Sequence, residues 1–466
     1  MELTIKLEQA SGVPLYEQIY EYIKSEICKG NLESGSRLPS SRMLAQYLQV
    51  SRSTVGMAYD QLISEGYVEA VPCKGCFVAD VSDIEDMYGM TLGMHVDVER
   101  VQPEGEKYEY DFSPRGVDLN CFPFNNWRKV TRSILNEDNR ELFQLGNPQG
   151  EYAFRVTIHK YLHQSRGVNC SPDNIIIGAG NEYLLMLLNQ ILGGNNVFAM
   201  ENPTYKQVYR IFTSLAQKVV MVDLDKHGMN VDELEKTGAN IAYVMPSHQY
   251  PLGVVMPLKR RVEMLKWAKS KENRYIIEDD YDSEFRYRGK PIPSLQGYDA
   301  DGKVIYIGTF SKSIAPAIRM SYMVLPDALL EIYRKNLRFY SSTVSRIDQN
   351  IVNEFIRRGC YERHLNKMRN VYKARHDTLL AALKTLGEDF VISGENAGLH
   401  ILLQGKHMTE NEMIQAAQRA GVKVYPLSEY YIEDKKDKKD TILLGYSKMD
   451  ETKIIEGIER LKKAFC

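Results

Sequence analysis

The chain has 466 residues, with 59 Lys and Arg against 61 Asp and Glu, a net charge of −2, and 44% hydrophobic and 26% charged residues. That length exceeds a single hydrophobic core, so two or three domains are expected; the near-neutral charge excludes a basic coat over the whole surface but leaves room for one small basic patch. No run of about 18 apolar residues is present to span a membrane, and the opening MELTIKLEQASG lacks the apolar centre of a signal peptide, so the expected location is the cytoplasm.

Residues 1–80 form the first block. Leu15, Ile19, Ile23 and Ile27 recur at helical spacing, and Gly30 suits a helix stop. LPSSRMLAQYLQV predicts a short second helix capped by Ser40, with Met43, Leu44, Tyr47 and Leu48 inward. A tight turn at Gln49-Val50 leads to a third helix that Ser51 can cap, with Val55, Tyr59 and Leu62 on one face and Gly66 at its end. YVEAVPCKGCFVAD predicts two short strands with Lys74-Gly75 at the hairpin tip. Helix, helix, turn, helix, hairpin is the layout of a winged helix-turn-helix. The seven cysteines are scattered, and only Cys73 and Cys76 are close. A zinc site wants a second pair and none follows, so no metal is expected.

In a winged helix the start of the third helix enters the major groove of DNA. Arg37 lies in the loop before the second helix, Arg42 follows its cap, and Arg52 opens the third helix among Ser51, Ser53 and Thr54. Arg52 and Thr54 are expected on bases or adjacent phosphates, Arg42 on phosphate, and Lys74-Gly75 in the minor groove. Gly56 costs about 1 kcal/mol inside a helix; it either admits close backbone approach to DNA or is simply tolerated.

Residues 81–107 show no clean period and many charges, the pattern of a linker, and residues 108–466 form a large α/β region. NIIIGAG, NVFAMENP, KVVMVDL, IAYVMPS, YIIEDDY and VIYIGTFS are short apolar runs of the kind found in buried parallel strands. Beyond Leu325 the helices lengthen, then AGLHILLQG and TILLGYS suggest a smaller C-terminal α+β lobe.

Three strand ends carry complementary chemistry. VIYIGTFSKS delivers Lys312, YIIEDDY delivers Asp279, Asp280 and Tyr281, and IAYVMPSHQ delivers Ser247 and His248. A desolvated lysine is an aldehyde-binding nucleophile, and a carboxylate that protonates a pyridine nitrogen turns the ring into an electron sink; together they are the protein's contribution to pyridoxal phosphate chemistry. Thr309, Ser311, Arg319 and the helix start at Gly180-Asn181 supply phosphate donors. His248 either sits near the ring or is a satisfied strand-end histidine.

TFSKSIAPAIRMSY resembles the cofactor-lysine motif of fold type I aminotransferases, and IEDDYDSEFRY, MPSHQYPLG, ENPTYKQV and NPQGEYAFR resemble their companion motifs. LPSSR, LAQYLQVSRSTV and AYDQLISEGY resemble the GntR-type winged helix. In this order the two resemble the MocR/GabR family of bacterial transcription regulators. The resemblance implies a regulator that binds double-stranded operator DNA, takes pyridoxal 5′-phosphate as cofactor and senses a small amine, amino acid or pyridoxal phosphate itself. An aminotransferase with an accessory winged helix is the alternative. Lys312 would hold the cofactor covalently, Asp279 would pair with the ring nitrogen, Tyr281 with the phenolic oxygen, and Tyr205 would stack on the ring. Strand alternation turns Asp279 the same way as Tyr281 and opposite to Asp280, which favours Asp279 without excluding Asp280. The resemblance also implies a head-to-tail homodimer.

The departures concern the effector. Leu145 stands where family members often place a tyrosine that reaches the partner's phosphate. From Gly421 to Cys466 the one arginine, Arg460, lies in an amphipathic surface helix, while VYPLSEYYIED offers Tyr425, Ser428, Tyr430 and Tyr431, and Lys206-Gln207 follow Tyr205. Neither region offers the arginine that a bidentate carboxylate clamp favours. The effector is therefore the cofactor itself, a decarboxylated amine, or a carboxylate held by other groups.

Overall fold

The computed structural model describes residues 5, 7, 8, 12–81, 108–287, 292–395, 398–433 and 440–465. The chain falls into two compact units, Met1–Gly105 and Glu106–Cys466. Of the expected linker, residues 82–107 lie outside the described residues.

In the small unit, α1 (Leu15–Cys28), α2 (Ser41–Leu48) and α3 (Arg52–Ser64) precede an antiparallel pair, β1 (Val68–Val71) and β2 (Gly75–Val78). Ile19, Ile23 and Ile27 of α1 pack against Val55, Ala58 and Leu62 of α3. Ser40 accepts the Met43 amide at 3.3 Å and Ser51 accepts the Thr54 amide at 3.1 Å, so both helices begin on a side-chain cap. Gln49 ends α2 in the left-handed region at φ 57°.

Two expectations fail here. Met43 and Tyr47 are not inward: they are 62% and 58% exposed, while Leu44 and Ala45 are buried. A helix of eight residues has one narrow buried stripe, and Leu44, Ala45 and Leu48 fill it. The hairpin tip is also not Lys74-Gly75. Val71 pairs with Gly75, so the turn is Pro72-Cys73-Lys74, with Cys73 at φ 61° and Gly75 at φ 112°. Cys73 and Cys76 are both free thiols.

The large unit opens with β3 (Tyr110–Asp111), α4 (Phe124–Ile134) and α5 (Tyr152–Arg166). There follow β4 (Ile175–Gly178), α6 (Asn181–Leu192), β5 (Val197–Asn202), α7 (Lys206–Ser214), β6 (Lys218–Asp225), β7 (Gly228–Met229), α8 (Val231–Lys236), β8 (Ile241–Val244), α9 (Leu258–Lys269), β9 (Tyr275–Asp280), β10 (Val304–Thr309) and β11 (Ser321–Val324). They form one eight-stranded sheet in the order β4-β11-β10-β9-β8-β5-β6-β7. Strands β10, β9, β8, β5 and β6 run parallel; β11 is antiparallel to both β10 and β4, and β7 is antiparallel to β6. Ile276, Ile277, Ile305 and Ile307 are fully buried, as strands covered on both faces require.

After α10 (Asp327–Asn336), α11 (Arg346–Arg357) and α12 (Cys360–Leu383) comes the smaller lobe. It contains β12 (Phe390–Ser393), β13 (His400–Gly405), α13 (Glu410–Arg419), β14 (Val422–Lys423), β15 (Tyr425–Pro426), β16 (Thr441–Gly445) and α14 (Glu451–Phe465), with a second sheet in the order β12-β13-β16-β15. Strand β3 pairs with β14, so the first residues of the unit belong to its last lobe. Among the described residues no helix is long and apolar enough to cross a membrane.

Candidate functional site

The carboxyl ends of the parallel strands open onto a cavity of about 260 Å³, the place where open α/β sheets hold their ligands. Lys312, Asp279, Tyr281, Tyr205, Arg319, Thr309, Ser311, Gly180 and Asn181 all line it. Strand β10 ends at Thr309 and hands the chain to the loop carrying Ser311 and Lys312, while β9 ends at Asp280 beside it in parallel register.

Alternation separates the two adjacent aspartates. Asp279 faces the cavity, takes a hydrogen bond from Tyr243 and lies 3.5 Å from the Asn181 amide nitrogen. Asp280 points the other way, to Arg166 at 2.7 Å, Tyr306 at 2.5 Å and Ser283 at 2.9 Å. Burial pushes the Asp279 carboxyl up to about 7, with Tyr243 opposing and Asp280, Asp282 and Glu182 adding to the rise. Burial pushes the Lys312 amine down to about 8; Asp282 opposes this, and Arg115 and Lys448 reinforce it.

Arg319 takes φ 46°, a backbone strain of about 1 kcal/mol that aims its guanidinium into the cavity. There it pairs with Glu182 at 2.6 Å. Gly180, at φ 93°, opens α6 against it: a Cβ on Gly180 would lie 2.4 Å from the Arg319 guanidinium and 2.8 Å from the Glu182 carboxylate. Only glycine leaves this corner open. An open corner at a helix N-terminus, beside an arginine and two hydroxyl residues, fits a phosphate group, and the Lys312 and Asp279 pair fits the pyridine aldehyde to which that phosphate would belong.

His248 is a strand-end histidine outside the cavity lining. Its Nδ1 is 2.9 Å from Asp282 and 2.9 Å from the Tyr281 hydroxyl, and its buried Nε2 has no partner among the described residues. It touches the cavity's lining only at Tyr281 among these contacts. Of the tyrosines in the C-terminal loop, Tyr430 reaches the site, accepting a hydrogen bond from Tyr250 at 2.8 Å. Tyr425 bonds Asp111 and Ser428 bonds Glu410 instead.

Arg115 lines the cavity without having been expected there, as do Pro114, Met245, Tyr250 and Pro316, and of these it alone carries charge. It follows β3, and nothing in FSPRG marks it for a site; only the pairing of β3 with β14 carries it there.

In the small unit, Ser51 bonds the hydroxyls of both Ser53 and Thr54 at 2.7 Å, and Arg52 stands exposed at the start of α3. The structure also brings Arg37 to the wing: its guanidinium would lie 3.2 Å from a Cβ on Gly75. Arg42 and Lys74 are exposed. Among the described residues Gly56 has no atom within 4 Å of its Cβ position, so none of their packing demands glycine there.

The two units match two family models: bacterial regulatory proteins of the gntR family over residues 15–78, and aminotransferase class I and II over residues 115–461. The uncharacterized HTH-type transcriptional regulator YdeL of Bacillus subtilis is 40% identical over 469 residues, covering 100% of both chains. The probable rhizopine catabolism regulatory protein MocR of Rhizobium meliloti is 30% identical, covering 98% of this chain and 95% of its own. Among solved structures, the Pyrococcus horikoshii kynurenine aminotransferase superposes with a TM-score of 0.67 at 25% identity, over 82% of this chain and 93% of its own. The chain belongs to the GntR/MocR-type helix-turn-helix transcription regulators, in which a DNA-reading unit is fused to an aminotransferase-like, effector-sensing domain.

Proposed function

We propose that residues 1–80 bind double-stranded operator DNA, that 81–107 are a linker, and that 108–466 hold pyridoxal 5′-phosphate on Lys312 and sense a small amine, amino acid or pyridoxal phosphate. The observation that carries this reading is that Lys312, its amine pushed down to about 8 by burial, lines one cavity with Asp279 and the glycine corner. When bound, the cofactor supplies an electrophilic carbon and an electron-withdrawing ring.

The residues divide that work. A lysine with its pKa near 8 is partly neutral at pH 7 and so nucleophilic. Asp279, oriented by Tyr243, would pair with the ring nitrogen, and a cationic ring would draw its pKa back down. Tyr281, held by His248, would pair with the phenolic oxygen, and Tyr205 would stack on the ring. Arg319, now paired with Glu182, would hold the phosphate together with Thr309, Ser311 and the Gly180-Asn181 amides. At the DNA end, Arg52 and Thr54 read the major groove, Arg42 and Arg37 hold phosphate with Ser51 and Ser53, and Lys74-Gly75 sit at the wing. The homodimer, head-to-tail in this reading, rests on the family resemblance.

The test is borohydride treatment of the cofactor-loaded chain followed by peptide mass spectrometry. A phosphopyridoxyl adduct on Lys312 is expected; an adduct on another lysine, or none with cofactor in excess, overturns the assignment.

A further inference from the structure

Resting on that reading, we propose that Arg115 is the carboxylate-receiving residue of the cavity, so that the effector is an amine that also bears a carboxylate. Gln207 and Tyr430, in the regions expected to hold such a clamp, carry no charge. Arg115 supplies one from another part of the chain. It lines the same cavity as Lys312, with its guanidinium carbon 5.7 Å from the Tyr205 ring centroid. Arg115 keeps part of its surface exposed; partial burial works against its charge, but the phenols of Tyr430, Tyr250 and Tyr205 and a hydrogen bond with Tyr250 hold its pKa above the ordinary value. By contrast the other cavity arginine, Arg319, is paired with Glu182 at 2.6 Å. The Tyr205 hydroxyl donates to Gln207 and the Tyr250 hydroxyl to Tyr430, so the planar guanidinium fork is the group here that is matched to a carboxylate.

Its mounting is rigid. Gly445 donates to the Phe112 carbonyl at 2.8 Å, Ser447 to the Gly116 carbonyl at 2.8 Å, and Arg375 pairs with Asp118 at 2.7 Å. Residues 112–118 are thus pinned to the smaller lobe on both sides of Arg115. A ligand joined to Lys312's loop at one end and to Arg115 at the other links the sheet to that lobe.

Stable reduced phosphopyridoxyl adducts test this without depending on the affinity of a free amine. Binding of four adducts to the cofactor-free full chain is measured by calorimetry: those of alanine and 4-aminobutyrate, and those of ethylamine and propylamine, which lack the carboxylate. At least one carboxylate-bearing adduct is expected to bind about 10- to 100-fold more tightly than its matched amine adduct. In Arg115→Gln that ratio should fall below about threefold, and Arg115→Lys should restore part of it. Equal affinities in the wild type, or an undiminished ratio in Arg115→Gln, overturn the assignment of Arg115 while leaving the cofactor reading intact. Failure of every adduct to bind defeats the cofactor reading, and this inference with it.

Discussion

Lys312 illustrates how one side chain is set by its neighbours. Its amine is driven down to about 8 chiefly by burial, from an ordinary value of 10.5. In the cofactor-free chain that shift is a stability cost, because the unfolded state holds the proton more tightly than the folded one. The cost is constant below pH 8 and disappears between pH 8 and 10.5. Lys312→Met removes it, so the cofactor-free variant should be more stable than wild type at pH 7 by about 1 to 2 kcal/mol, allowing for partial solvent access. Denaturant melts at pH 7 and pH 10 check this, and the gap should shrink at the higher pH. An unchanged or widening gap contradicts the account. At this scale the cavity lining was partly legible in the sequence: strand alternation favoured Asp279 over Asp280, leaving both open, and grouped Tyr281 with the former. Arg115 was not legible: its place depends on β3 crossing to pair with β14, a non-local contact that no local pattern encodes.

Among elements, α3 is where sequence and structure agree most closely, since the Ser51 cap, the buried Val55, Tyr59 and Leu62, and the exposed Arg52 all follow from helical period and capping chemistry. Gly56 lies on α3 with open space around it, so Gly56→Ala should raise the stability of the small unit by about 1 kcal/mol in thermal melts; lower stability would reveal a packing constraint. A simultaneous loss of DNA affinity in that variant would place the α3 backbone against the duplex. Arg52→Ala should weaken specific binding by about 1 to 3 kcal/mol while leaving nonspecific binding less affected. Salt titrations on a selected and a scrambled duplex separate these, and unchanged affinity for both removes Arg52 from the interface. Sequence failed where elements are short. Helix α2 has one buried stripe, and the pattern admitted Met43 and Tyr47 to it; the hairpin's three-residue turn puts Cys73, not Gly75, at its apex. Both errors come from boundaries, where one residue of register changes the outcome.

For the whole molecule, fold class was legible because apolar runs ending in polar loops recur six times before Leu325, but strand order was not. Antiparallel β11 between β4 and β10 looks in sequence like any other buried strand. The family resemblance predicts self-association: light scattering on the cofactor-loaded chain should give a dimer, and a stable monomer that keeps its bound cofactor contradicts this. An effector alters DNA affinity only through its different affinity for two arrangements of the molecule. The central claim is that ligand chemistry at Lys312 and DNA binding belong to one machine. The most direct measurement follows, in a single titration, the visible absorbance of the bound cofactor and the affinity for a duplex selected by the protein, while carboxylate-bearing amines are added. The account predicts that both change together, with DNA affinity shifting about tenfold or more, and that neither responds in Lys312→Ala. Steady turnover of the amine at about 1 per second or faster, with DNA affinity unmoved, would contradict it.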